Sequence, residues 1–435
     1  MEIRNAEPII EFRRRWLIGL VALFVVLQII TPSRAWIALI VGLGGTLAAG
    51  YCWARQMASK VTLTREQHYN WVHVGDLLEE RFTLHNRSSL PVVWVEVDDR
   101  SDLPDYSARS VRSAGGYETL EWRSEGICHR RGLFTLGPWQ AHISDPFGLF
   151  LITFDYPETR SLLIYPPVVH LPSLPLPKGA ATGTGRTSRR ALDVTTNAAG
   201  VRQYAQGDSL SRVHWPMTAH LDRLMVKTFD LEPSGDLWIV LDLDAAVQAG
   251  DGEESTEEYG VILAASLADK TLRENRAVGL AAYGRHSADA VPEPLPTLAM
   301  PQKGMAQQWR ILQALAAVRA GGAWPLARVL AEMDRNLGRG MTLTVITPSC
   351  DPAWIAGLLP PMRRGIAPAV LLLDPVSFGG AGNVGSLRGL LAQLGIPSHV
   401  IAKGMPFKPI VEHRRIGRPE YRVLPATGRI IAVEQ

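Results

Sequence analysis

Cysteine is scarce in this chain. Cys52, Cys128 and Cys350 are odd in number and far apart in 435 residues, which excludes a disulfide framework and a paired-cysteine zinc site. Charge of one sign is also lacking. The 45 Lys and Arg against 42 Asp and Glu leave a net +3, so no overall basic field draws nucleic acid. The stretch GAATGTGRTS (179–188) lacks the Gly-Lys-Ser/Thr ending of a phosphate-binding loop, because Arg186 stands where Lys is needed. No serine or cysteine has an evident neighbouring base of the kind that activates a nucleophile. With 46% hydrophobic and 20% charged residues, the chain is too apolar for disorder and too polar for a polytopic membrane protein. Its length allows two or three domains of roughly 100–200 residues.

Long apolar runs occur only at the beginning. WLIGLVALFVVLQII (16–30) and AWIALIVGLGGTLAAGYCWA (35–54) carry no charge, and Thr31-Pro32-Ser33-Arg34 separates them. An uncharged helix of about 20 residues crosses the hydrocarbon core. The second run meets that length and the first falls somewhat short, so it relies on snorkelling arginines or a thinned bilayer. The pattern predicts a transmembrane helical hairpin over 16–54 after a cytoplasmic N-terminus over 1–15. Arg13, Arg14 and Arg15 precede the first run, Arg55 and Lys60 follow the second, and the turn offers only Arg34. The positive-inside rule then places both termini and the soluble domains in the cytoplasm.

Over 60–166 the hydrophobic period is near two. VTLTRE (61–66), ERFTLHN (80–86), VVWVEVDD (92–99), YETLEWR (117–123), GLFTLGPWQAHI (132–143) and RSLLIYP (160–166) read as strands divided by turn signals. This predicts an antiparallel β-sandwich-like domain. A Pro/Gly-rich linker follows over 167–200. The stretch 201–236 is the most distinctive: Arg202, Tyr204, Gly207, Asp208, Arg212, His214, Trp215, Arg223 and Lys227 fall close together. Arg202, Asp208, Arg212 and His214 could form a hydrogen-bonded charge network around Tyr204 and Trp215. That network would serve as a recognition surface, a small active site or a clasp between domains.

From 237 to 403 strand and helix patterns alternate. LWIVLDLD (237–244) is an apolar run ending in acids. Helical periodicity follows over 256–276, behind a Ser255/Thr256 cap and Glu257 and Glu258. Further strands read at 277–283, 342–347, 368–373 and 398–402, with helices at 306–319, 325–337 and 386–394. A parallel sheet with helices on both faces is the economical fold. Ligands of such sheets bind at the carboxyl ends of strands. Asp242, Asp244 and Asp351 are therefore candidate oxygen ligands for Mg²⁺ or Ca²⁺, set against ordinary capping of strand-end backbone. The basic tail over 404–435 reads as a solvated segment or one meeting anionic headgroups.

Two long motifs carry a resemblance. RRGLFTLGPWQAHISDPFGLF (130–150) and VRQYAQGDSLSRVHWPMTAHLDRLMVKTFDLE (201–232) resemble the bacterial domain-of-unknown-function family 58. Pro216 departs from the Lys usual after the Trp. The resemblance implies an α+β multidomain protein whose C-terminal α/β domain is similar to von Willebrand factor A domains. Their metal motif, Asp-x-Ser-x-Ser, is degenerate here as Asp242-Leu243-Asp244-Ala245-Ala246. It also implies a MoxR-type AAA+ ATPase as partner, with a transglutaminase-like membrane protein as a further one. The resulting expectation is a non-enzymatic scaffold of the bacterial inner membrane that touches lipid, needs no cofactor and binds no nucleic acid. The alternatives are a metal-dependent binding receptor using the degenerate site, and a hydrolase centred on Asp208 and His214.

Overall fold

The computed structural model describes residues 8–67, 70–171, 198–205, 213–229, 236–286, 295–321, 324–338, 340–405, 408–409, 420–423 and 430–433. The chain is a mixed α/β protein with several sheets. Two apolar helices come first. Trp16–Ile30 has no buried residue, and Arg34–Lys60 runs on beyond the expected Ala54. The second begins with a Ser33 cap that accepts from Ala35 N, and Phe24 stacks on Trp36 with ring centroids 5.6 Å apart. Arg34–Lys60 is long and apolar enough to cross a membrane, while Trp16–Ile30 is apolar but shorter. The long helix passes directly into the strand Val61–Gln67.

The β region is assembled from three sheets. Ile9–Phe12, Phe150–Tyr156, Trp139–Ser144, Val92–Asp99 and Ser110–Ala114 form one, in that spatial order. A second has Val61–Gln67, Leu77–Asn86 and Thr119–Ile127, and the third Trp71–His73, Arg160–Tyr165 and Gly132–Leu136. Period-two burial sends Phe82, Leu84, Val95, Val97, Ile143, Ile152 and Leu162 into one core, which Ala54 and Met57 of the long helix join. Three features differ from the sequence expectation. The run 132–143 is two strands in different sheets, because Gly137-Pro138 interrupts it and proline cannot donate to a ladder. The region is not wholly antiparallel, since Trp71–His73 pairs parallel with Arg160–Tyr165. Phe150–Tyr156 is an additional strand that holds Ile9–Phe12 at its edge.

The α/β region has a sheet ordered Leu295–Gln302, Val278–His286, Leu237–Leu241, Thr342–Thr347, Ala367–Leu373, Ser398–Ile401. The last five are parallel, as expected for apolar runs buried on both faces. The antiparallel edge Leu295–Gln302 was hidden by its prolines. Helices Thr256–Arg273 and Met305–Ala317 cover one face, over Ile239, Leu241 and Leu280. Leu326–Met333 and Val384–Gln393 cover the other, over Trp238, Val240 and Val345. Within the expected linker and tail, the backbone pairs Val169–His170 with Lys408–Pro409, and Glu420–Val423 with Ile430–Val433.

Candidate functional site

Parallel strands leave their carboxyl ends open, and two of the predicted carboxylates lie there. Asp242 follows Leu237–Leu241 directly and is 3% exposed. Its Oδ2 accepts from Thr347 Oγ1 at 2.6 Å and its Oδ1 from Asp244 N at 3.1 Å. Asp244 Oδ1 in turn accepts from Ala246 N at 3.1 Å. Burial pushes the Asp242 carboxyl up to about 6, against the pull of those hydrogen bonds. Asp351 is exposed, and its Oδ1 accepts from Ala353 N at 2.9 Å as the cap of Pro352–Leu358. Among the described residues no three His, Cys, Asp or Glu side chains gather as a metal would require. In this structure the three carboxylates accept from backbone and hydroxyl donors, Asp242 and Asp244 at the strand end and Asp351 at the cap of Pro352–Leu358.

The signature stretch forms a small unit. Ala198–Gln203 and Met225–Phe229 pair antiparallel, with Val201 opposite Lys227 and Arg202 opposite Val226. Tyr204 N donates to Leu224 O at 2.8 Å. His214 caps the helix Trp215–Leu221, its Nδ1 accepting from Met217 N at 3.1 Å. Gly207, Asp208 and Arg212 lie outside the described residues. Trp215 is 65% exposed. Met217, Leu221 and Leu224 are exposed beside it, as is Arg223. The unit presents apolar side chains to its surroundings, and His214 is committed to capping.

A clasp between the β and α/β regions is built from the motif at 130–132. Arg131 is 1% exposed. Its Nη1 donates to Val318 O at 2.9 Å and Leu315 O at 3.2 Å, and its Nη2 to Glu257 Oε1 at 2.8 Å. Its Nε lies 3.0 Å from Glu258 Oε2, and Arg319 Nη1 donates to Glu258 Oε1 at 2.9 Å. Burial lowers the Arg131 guanidinium and raises the Glu258 carboxyl from their ordinary values. Gly132 has φ +154°, and a Cβ there would lie 3.1 Å from the Phe134 ring, so glycine lets the arginine turn in. A second part of the seam is aromatic: Trp309 meets Trp71 and Tyr165 with ring centroids 5.1 and 5.4 Å apart. A cleft of about 280 Å³ opens beside the clasp, lined by His129, Arg130, Gln248, Glu253, Glu258 and Arg319. Sequence reading treated Glu257 and Glu258 as helix-terminal acids. The available signal was the Arg-Arg-Gly motif itself, which lies more than a hundred residues away.

An α/β sheet with a capped aspartate pair, joined to a β region and an apolar helix pair, defines a multi-region mixed α/β protein. Over residues 200–359 the chain matches the family described as "Protein of unknown function DUF58". That match includes the signature unit and the sheet as far as Asp351, and leaves out the motif at 130–150. The uncharacterized protein YeaD of Bacillus subtilis (strain 168) is 23% identical over 231 residues, covering 51% of this chain and 56% of YeaD. The chain thus spans little more than half the length of that relative. Among solved structures, a CARDB domain from Pyrococcus furiosus is 12% identical with a TM-score of 0.18, covering 24% of this chain and 91% of that one. A β-glucosidase from Listeria innocua is 9% identical with a TM-score of 0.17, covering 24% of this chain and 16% of that one. No functional reading follows from such slight likenesses.

Proposed function

We propose that this chain is a membrane-anchored docking protein that works by holding other proteins. The observation that carries the reading is the helix Arg34–Lys60, whose most apolar window is only 6% buried. Exposed Ile37, Leu39 and Val41, with Ile18, Val26, Ile29 and Ile30 on the shorter helix, make an apolar surface that water does not tolerate at this size. A bilayer covers it if both helices span, as a hairpin in the bacterial inner membrane. Arg13–Arg15, Arg55 and Lys60 then lie at the cytoplasmic face, with the soluble regions.

In this reading the C-terminal region acts as a von Willebrand factor A-like module without its metal. Its partner is a MoxR-type AAA+ ATPase, which the family resemblance suggests, with a transglutaminase-like membrane protein as a second contact. Exposed Trp215, Met217, Leu221 and Leu224 offer the apolar docking face, since exposed aromatic side chains dominate the energy of many interfaces.

The test is co-purification of the full chain from native membranes with nucleotide present. The AAA+ ATPase is expected to be recovered, and Trp215→Asp to reduce its recovery at least tenfold. Recovery of the chain in the aqueous fraction after detergent-free lysis would refute the anchor. Recovery of no ATPase from membranes would refute the partner.

A further inference from the structure

The turn Asp145–Gly148 at the base of the helix pair has no role in the anchor just described. Asp145 is 3% exposed and its carboxylate is filled by backbone donors. Oδ2 accepts from Phe147 N at 3.0 Å, and Oδ1 accepts from Leu149 N at 2.7 Å and Phe150 N at 2.6 Å. Gly148 N closes the turn onto Asp145 O at 3.1 Å. Such a turn is stiff, yet Pro146, Phe147 and Gly148 at its tip are all exposed, Phe147 by 53%. A phenyl ring is thus held outward by a frame that has no need of it.

The position of the turn says what the ring meets. A Cβ on Gly50 of the long helix would lie 3.1 Å from Asp145 Oδ2 and 3.3 Å from the Phe150 ring, so helix and turn are in direct contact. On the other side, Arg13 N donates to Leu149 O at 2.9 Å, and Phe12 and Tyr51 both pack on Phe150. The turn therefore sits between the chain entering the first helix and the foot of the second. Arg13, Arg14, Arg15 and Arg55 are exposed around it, and Glu11 is the only acidic residue between 8 and 60.

Helix length supplies the independent argument. Gly50, Ala54 and Met57 are buried against the β region and cannot face lipid. The free part of the long helix ends near Ala49 and spans about 24 Å at 1.5 Å per residue. The first helix, with 15 residues, spans about 22 Å. A hydrocarbon core of about 30 Å is thicker than either. Any bilayer that accepts these helices draws the foot of the β region into its headgroup layer. The geometry points to Asp145–Gly148 as a second membrane contact, with Phe147 seated in the interface of an anionic phospholipid bilayer and Arg13, Arg14, Arg15 and Arg55 on its headgroups. This rests on the anchor reading above.

The test places a nitroxide on the full chain, with Cys52 and Cys350 replaced by serine, in bilayers of equal parts phosphatidylcholine and phosphatidylglycerol. Labels go at Phe147→Cys, at Val41→Cys on the exposed helix surface and at Val376→Cys on the α/β region. Collisions with oxygen and with a water-soluble nickel chelate report depth. The expected result is a label at 147 several-fold less accessible to nickel than at 376, more accessible than at 41, and readily met by oxygen. A label at 147 matching 376 while 41 lies in lipid would overturn this inference and leave the anchor standing. Aqueous behaviour at 41 as well would overturn both. In phosphatidylcholine alone the label at 147 should sit shallower; equal depth in the two bilayers would overturn the role given to the arginines.

Discussion

At its joint with the apolar helices the β region relies on close packing, whereas at its joint with the α/β sheet it relies on buried charge. Gly50 lies against Asp145 and Phe150, and the one carboxylate there is matched by backbone donors. Arg131 instead crosses the seam to two carbonyls and two glutamates, with Arg319 as a second cation. The first joint tolerates no added volume. The second tolerates no lost partner, because taking charges out of water costs several kcal/mol per ion unless the pairing is complete. The difference teaches that each joint fails to a different kind of substitution.

The largest effect is expected from Arg131→Ala. It strands Glu257 and Glu258 beside Arg319 and two carbonyls, and should destabilise the chain by about 3–5 kcal/mol. Urea unfolding in mild detergent reads this, together with faster proteolysis near 131. A change within error would show that the seam is held by Trp309 and its aromatic neighbours instead.

Asp242 sharpens the comparison because it is a buried acid with no cation against it among the described residues. Its folded-state carboxyl stands at about 6, above its ordinary 3.8. The native state therefore holds the proton more tightly than the unfolded chain. Its contribution is complete below about pH 4 and is lost as the pH rises through 6, a fall of about 3 kcal/mol. Thermal unfolding between pH 4 and 7 should follow this slope, and Asp242→Asn should flatten it. An unchanged slope in Asp242→Asn would assign the pH dependence to another group.

At the packing joint, Gly50→Leu should cost about 1–3 kcal/mol by overfilling the space beside Asp145 and Phe150. Gly44→Leu, where nothing lies within 4 Å of a Cβ, should not. Equal effects at the two positions would mean that the helix foot moves freely on the β region. The smallest effect belongs to Arg123→Ala, which removes a surface pair with Glu79 at 2.9 Å and should change stability by less than about 1 kcal/mol.

Much of the α/β region was readable because its strands are buried on both faces. Leu237–Leu241, Thr342–Thr347 and Ala367–Leu373 are apolar without interruption, and Ser255 before Glu257 and Glu258 marks the next helix. The β region was read less well where a strand's neighbours decide its fate. Phe150–Tyr156 pairs with Ile9–Phe12 and Trp139–Ser144, which no local pattern announces, and Trp71–His73 is too short for a period to appear. Of the candidate site, the partners of Asp242 and His214 were out of sight in the sequence. Thr347 is 105 positions from Asp242. Trp215, around which a charge network was one reading, is 65% exposed, and Asp208 and Arg212 of that network lie outside the described residues.

The sequence by itself determined the apolar helices, the positions of most strands and the acids at the end of Leu237–Leu241. Local periodicity and turn chemistry carry that information, and both act over a few residues. Only the tertiary structure decided that Arg131 would bind Glu257 and Glu258, that Gly50 would rest on Asp145, and that Asp242 would bind Thr347. These are contacts between residues far apart in the chain. Their energies depend on burial and exact partner geometry, which no local pattern encodes.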